Sequence, residues 1–521
     1  AVHADGSCDV KLVENGALVR GVGSFGRQII CSTCKHDKLP FAPPALRCSG
    51  CDTVIKNNAS FHREVQVRLQ IRLCRVCFEI LDNGDSPELL RDFDLNPNAF
   101  EKHTWRASAE EECDHYVQCE GRCKRWSHYI CGFYPDPAQL PPDYRLEQQP
   151  FVCADCLRGP GQELHVERLV EIQTRRAASL PSCSFSNAIE AHLQAELTNS
   201  GVVASDVTVR VVTQKSCVFR ASAGLKQRYE EYPDGFPYLS KVIFAFQAIE
   251  GRDVCFFGMY VQEYGAQCPQ PNTNRVYISY LDSARHLRTT PPDSAALRTR
   301  SLVYHAIVNG YLKQACRLGY EHAHIWIEPP KSGDEYIFHK RPVDERHGTR
   351  PMSGSKLRAW YEQMLSRAQA LGIVKEFGDI QEEIVEHLTS IRDFPMFEGD
   401  FFPERMLGDL IDTDPAPSAG VALRREDSNL LVEQMKKQVR GVRRRFLVAA
   451  LNTAPADAES RANLQNSAGT ERAQPLLDSR TTFLRSCQDR HWQFDELRRA
   501  QYSTMMLLAH LGGCPGKAAH I

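Results

Sequence analysis

The sequence predicts an α/β core, a central mixed β-sheet flanked by helices, behind a small zinc-binding domain. Three observations predict it. Of the chain's 20 cysteines, 13 fall within the first 156 residues, most of them paired two or three residues apart. Two long apolar stretches, "KVIFAFQAI" and "VCFFGMYVQEYG", flank the short turn "EGRD" and read as an antiparallel hairpin. Beyond them a strand ("VYISYL"), a helical stretch ("SLVYHAIVNGYLKQACRLG") and a second strand ("HAHIWI") form a crossover unit, which lays two parallel strands side by side.

At 521 residues the chain is too long for one core, and about two to four domains is the prior. The longest apolar runs, "VIFAFQAI" and "FLVAAL", fall far short of the roughly 20 residues that cross a bilayer, so no membrane partner is expected. The N-terminus "AVHADGSCDV" lacks the basic-then-apolar order of a secretory signal. A net charge of −2 speaks against bulk phosphate binding and against direct sequence-specific DNA recognition, a local basic patch aside.

The cysteine pairs come first in chain order. They are Cys31/Cys34, Cys48/Cys51, Cys74/Cys77, Cys119/Cys123, His128/Cys131 and Cys153/Cys156. Twelve such ligands suffice for three tetrahedral zinc ions (Zn2+), and CxxC turns in a long chain read as metal sites in a reducing compartment. Closed sites of this kind serve folding and docking rather than catalysis. Cys8 and Cys113 stand outside these closely spaced pairs and are not read as ligands, and His62 reads as a surface residue. The last three pairs, C-x3-C-x4-H-x2-C-x21-C-x2-C, resemble the later part of a PHD finger. One earlier pair must complete that finger and the other two form a RING-like insert with one zinc, but spacing leaves open which. Trp126, two residues before His128, suits either a methyl-lysine cage or packing on the zinc loop. These features place a zinc module at 25–160 and a linker helix at 161–180. The large domain then spans 181–510, with flexible segments near 411–430 and 453–475.

Within that domain, "SFSNAIEAHLQAEL" has Ser/Asn cap chemistry ahead of an amphipathic helix, and "VTVRVV" reads as a strand. Gly319 stands where a helix C-cap belongs. In a crossover unit the end of the first strand and the start of the helix form the natural ligand crevice. Leu281, Asp282 and Ser283 stand at its mouth, with Arg300 and Ser301 opposite. An Arg beside free helix amides suits a phosphate.

Longer stretches then carry a resemblance. "GFPYLSKVIFAFQAIEGRDVCFFGMYVQEYGAQCPQPNTNRVYISYLDS", "LVYHAIVNGYLKQACRLGYEHAHIWIEPPKSGDEYIFH", "KLRAWYEQML", "FPMFEGDFFPE" and "LRRAQYSTMMLLAHL" resemble the histone acetyltransferase core of the CREB-binding-protein family. "LPFAPPALRCSGC" and "FVCADCL" are especially similar to its plant members. The resemblance implies acetyl transfer from acetyl-CoA to lysines of histone tails and other nuclear proteins, a nuclear location, and transcription factors as partners. It implies that Leu281, Asp282, Ser283, Arg300, Ser301, Lys356 and Trp360 hold the cofactor, with "LRT" at Leu297–Thr299 a rival register for the Arg. Tyr361 is then the general acid and Trp326 lines the lysine tunnel. Ser240, Glu398 and Asp478 face the substrate, while a further family Asp is Thr481 here. Read without the resemblance, Leu357, Trp360, Tyr361, Met364 and Leu365 form a helical stripe of the kind usually found in cores.

Family members of the animal type carry a lysine-rich regulatory loop near 411–430, yet no lysine lies between Lys375 and Lys436 here. "MKKQVRGVRRRF" has six basic residues and reads as a solvated helix face or an anion-binding one. The expected function is a nuclear lysine acetyltransferase and coactivator. Its rival is a chromatin-binding scaffold that has lost activity. A ubiquitin ligase is a weaker third reading, because the insert has ligands for one zinc.

Overall fold

In the computed structural model Glu250 and Gly251 both take positive φ, 51° and 77°, so the "EGRD" connection is the two-residue turn that matches strand twist. It joins the second and third of seven strands in the main sheet. These are β1 (Val207–Arg220), β2 (Gly235–Ile249), β3 (Arg252–Tyr264), β4 (Arg275–Ser283), β5 (His322–Trp326), β6 (Val374–Asp379) and β7 (Phe446–Leu451). Their spatial order is β1-β2-β3-β4-β5-β7-β6, and β4 with β5 is the one parallel pair. The helices are α1 (Ser184–Asn199), α2 (Thr299–Leu318), α3 (Gly354–Ala370), α4 (Arg425–Val442), α5 (Arg480–Asp489) and α6 (Leu497–Leu511). The mixed sheet and its helices match the expected fold class. The structure describes residues 8–11, 18–22, 29–42, 46–51, 53–56, 58–65, 71–87, 90, 93, 95–105, 112–141, 151–158, 171–220, 223–229, 232–294, 297–329, 335–340, 352–399, 425–453 and 472–512.

The crossover helix α2 ends at Gly319 in the left-handed region, φ 89°, where its amide returns to Ala315 and Cys316. Cys183, rather than Ser or Asn, caps α1, and Ser186 supplies the hydroxyl that receives the Cys183 amide at 3.2 Å. One face of the sheet is covered by α1, α2 and α3 through Ile189, Leu193, Val303, Ile307, Leu312, Met364 and Leu365. A second apolar cluster gathers Tyr264, Tyr277 and Val448 of the strands with Phe394, Met435 and Val439. Within the first layer lies a buried ion pair, Lys241 to Glu263 at 2.6 Å, each side chain 1% exposed. Tyr311 and Tyr320 donate to the same carboxylate, and the Phe185 ring lies 4.4 Å from the Lys241 ammonium. Deleting either ion would strand the other and cost about 3–5 kcal/mol.

The chain divides into two compact units, residues 1–43 with 106–174, and residues 44–105 with 175–521. The zinc region is therefore split between them. In the first unit the chain leaves and returns on neighbouring segments: the Phe41 amide donates to the Glu112 carbonyl at 2.8 Å and the Asp114 amide to the Leu39 carbonyl at 2.9 Å. In the second unit, Leu46, Ile55, Phe61, Ile71, Leu73, Leu81 and Leu90 form a separate small core. His62, expected at the surface, is half-buried and stacks on Phe78 at 3.6 Å. No helix among the described residues is long and apolar enough to cross a membrane.

Several expectations fall outside the described residues. Residues 161–170 of the linker helix lie there, as do residues 411–424 and 454–471 of the two segments read as flexible. α4 begins at Arg425, inside the first of those segments.

Candidate active site

The polar end of β4 is a staple. Asp282 accepts the amides of Ile337 and Phe338 on one oxygen, both at 3.1 Å. Its other oxygen accepts the Ser283 amide at 2.7 Å and the Lys340 ammonium at 3.1 Å. An apolar strand thus ends in a carboxylate because the segment after β5 must be tied to it, and amides of a packed segment need an acceptor. Leu281, beside it, packs on the α1–α3 layer.

Across the crevice, α2 starts at Thr299. Arg300 is held by Asp293, which takes its amide at 3.0 Å and its guanidinium at 2.8 Å. Partial burial opposes ionisation of Asp293, but the Arg300 amide and guanidinium hold its carboxyl below the ordinary value. The anion expected at this helix start is therefore, in part, the protein's own. Arg298, the rival, is exposed at the cap position. One turn on, Tyr304 stacks on Phe257, its hydroxyl bonded to Ser283, and burial pushes its pKa up to about 12.

α3 brings the aromatic pair. Ser353 caps it, accepting the Lys356 amide at 3.4 Å, and leaves the Lys356 side chain exposed. Trp360 donates its indole N–H to the Ser301 hydroxyl at 3.1 Å and meets the His305 ring edge-on at 4.4 Å. Tyr361 is buried against Trp360, ring centroids 4.9 Å apart. Burial and then the Asp282 charge raise its pKa well above the ordinary phenol value, so its proton stays on at neutral pH. The residues expected to hold the cofactor on β4, α2 and α3 are thus linked through Tyr304 with Ser283 and Trp360 with Ser301. Trp326 ends β5 and packs on Phe446 at 4.1 Å, in the cluster with Phe394 rather than the layer of Trp360 and Tyr361.

The three residues expected to face the substrate meet at one row across β1–β3. Ser240 on β2 lies between Lys215 and Gln262 in register. Gln262 donates to the Glu398 carbonyl at 2.9 Å, Tyr238 donates to its carboxylate, and Lys215 forms an ion pair with Asp478. Thr481 lies in the first turn of α5. Sequence reasoning missed Asp293, Tyr304, His305 and Lys215. Only the "VYH" run beside Arg300 offered a signal.

The twelve metal ligands form three groups: Cys31/Cys34/His128/Cys131, Cys48/Cys51/Cys74/Cys77 and Cys119/Cys123/Cys153/Cys156. Within each, all ligand atoms lie within 4.8 Å of one another. The Cys51–Cys74 and Cys123–Cys153 sulfurs stand 3.8 and 3.5 Å apart, and the His128 Nδ1 is 3.8 Å from the Cys131 sulfur. Those edges suit a tetrahedron with bonds near 2.3 Å. All three groups fit zinc, which there would supply folding energy and no open position. The question spacing left open is answered: Cys31/Cys34 completes the finger, interleaved with its second site, and the two middle pairs make the insert.

Comparison with known proteins bears on the same residues. Residues 192–472 match the histone acetyltransferase domain KAT3. The probable histone acetyltransferase HAC-like 3 of Oryza sativa subsp. japonica is 27% identical, over 95% of this chain and 44% of its own length. For histone acetyltransferase HAC12 of Arabidopsis thaliana the figures are 27%, 92% and 33%. For protein cbp-1 of Caenorhabditis elegans they are 29%, 91% and 25%. The chain spans less than half the length of these relatives.

Proposed function

This chain belongs to the KAT3 histone acetyltransferase family, and from that premise we propose that it transfers acetyl from acetyl-CoA to lysine side chains of histone tails and other nuclear proteins. It works in the nucleus as a coactivator recruited by transcription factors. The observation that carries the reading is Tyr361: a buried phenol kept protonated, beside Trp360 and the Asp282–Ser283 end of β4.

Leu281, Asp282 and Ser283 hold the pantetheine arm, Asp282 mainly through its backbone because its side chain is taken by the 337–340 segment. Arg300 and Ser301 face the phosphates, Lys356 adds charge, and Trp360 packs on the cofactor. The substrate lysine enters past Trp326, with Glu398, Asp478 and Ser240 meeting neighbouring residues of the peptide. Lysine at pH 7 is neutral in only about one molecule in a few thousand, and an apolar entry favours that form by desolvation. The amine then attacks the thioester carbonyl. As the C–S bond breaks, the leaving thiolate takes the proton of Tyr361, and the amine's extra proton leaves to water, from which Tyr361 regains its own. Alignment of amine and thioester lowers the entropic part of the barrier.

The test is turnover of acetyl-CoA on a histone peptide by the zinc-loaded chain. Acetylated lysine in the product supports the reading. Cofactor and peptide binding without turnover would replace it with the scaffold.

A further inference from the structure

Asp282 is the inner end of a longer path. Lys340, which donates to Asp282, offers its backbone amide to Glu335 Oε1 at 2.6 Å, and His339 Nδ1 bonds the same oxygen at 2.8 Å. The other oxygen of Glu335 accepts Gln488 Nε2 of α5 at 2.9 Å. Gln488 Oε1 in turn accepts the guanidinium of Arg47 at 2.6 Å. Arg47 adjoins Cys48, a ligand of the insert's metal group, and pairs through its backbone with Val54. The Glu335 side chain is 18% exposed. Burial opposes its charge, but His339, Lys340 and Gln488 hold its carboxyl below the ordinary value.

The amide of Gln488 has a forced orientation. A guanidinium only donates and a carboxylate only accepts, so a flipped amide would set like against like at both ends. An Arg, an amide and a carboxylate in that order form a polarised chain in which each bond strengthens the next. The same segment is gripped from a second side by Arg480, whose guanidinium donates to the Glu335 and Tyr336 carbonyls at 3.1 Å.

We propose that Gln488 and Glu335 are positioning residues through which the Cys48/Cys51/Cys74/Cys77 insert holds the 335–340 segment, and with it the Asp282–Ser283 end of β4, in place. The insert is then a brace for the cofactor site. Its effect on cofactor affinity rests on the acetyl-CoA reading above; its effect on the segment does not.

The experiment uses the full zinc-loaded chain with Gln488→Leu, a change on α5 outside both the insert and the catalytic groups. Losing a hydrogen bond to a carboxylate should speed amide exchange in the 335–340 peptide about tenfold or more. The apparent KM for acetyl-CoA should rise about tenfold, with kcat at saturation within about twofold. Arg47→Leu should act alike, and the double variant should be no worse than either single, because both cut one path. Unchanged exchange in that peptide, or fully additive effects, overturns the proposal. If Arg47→Leu does not fold, Gln488→Leu decides alone. Faster exchange with an unchanged KM supports the brace and removes the cofactor from Leu281–Ser283.

Discussion

Lowering the pH from 7 to 5 should destabilise the core through His305. The residue is 4% exposed, meets Trp360 edge-on, and its Nε2 has no hydrogen-bond partner. Burial first and the Arg367 charge second push its pKa down to about 4, with the Trp360 backbone opposing them. In an unfolded chain the same ring titrates near ~6.5. Between those values the unfolded state takes up a proton that the folded state refuses. The contribution is therefore whole above about pH 6.5 and is lost as pH falls towards 4. At pH 5 the loss amounts to about 2 kcal/mol. Zinc ligands also titrate in acid, so the comparison is between the wild type and His305→Leu, whose side chain cannot. Urea unfolding at both pH values, followed by fluorescence, should show the wild type losing about 2 kcal/mol more than the variant. Equal losses in the two proteins would refute the reasoning.

Tyr361→Phe should lower kcat by about 10²-fold or more with acetyl-CoA binding nearly unchanged, since a positioned proton donor contributes ~10²–10⁴ in rate; near-normal turnover would end its role as general acid. Arg300→Ala should raise the apparent KM for acetyl-CoA roughly ten- to a hundredfold while kcat changes little. A large effect in Arg298→Ala instead would make the exposed cap residue the phosphate ligand. Metal analysis should return three zinc equivalents per chain, matching the three ligand groups, and two or fewer would remove the insert's metal. Cys153→Ser should unfold its zinc finger yet leave residual acetyltransferase activity.

The parts of the fold that were legible in the sequence are local ones. The hairpin is two apolar runs about one turn, and the parallel pair follows from strand, helix, strand. The zinc ligands were legible as types, but their pairing was not, because Cys31/Cys34 closes on His128/Cys131 across nearly the whole zinc region. At the site, the partners of Asp282 other than the Ser283 amide lie more than fifty residues further on, and nothing near "YLDS" announces them. Lys215 on Asp478 is a charge pair made by tertiary folding, and Asp293 reaches Arg300 from seven residues upstream, outside the motif, so a motif shows one partner without the other. The "WY" stripe was ambiguous because both readings hold: Tyr361 is buried beside Met364 and Leu365, and it also borders the crevice.

The adjacent segments at Leu39–Phe41 and Glu112–Asp114 have an evolutionary consequence. A chain that departs and re-enters between hydrogen-bonded neighbours can acquire a passenger in a single genetic event without redrawing its host. Each doubling of such a detour adds only about 0.6 kcal/mol of closure entropy. The length of 44–105 is then free to drift across descendants while the finger's geometry stays constant. A search pattern that fixes the interval between Cys34 and the later ligands would overlook relatives of this finger, whereas one that treats the interval as elastic would find them.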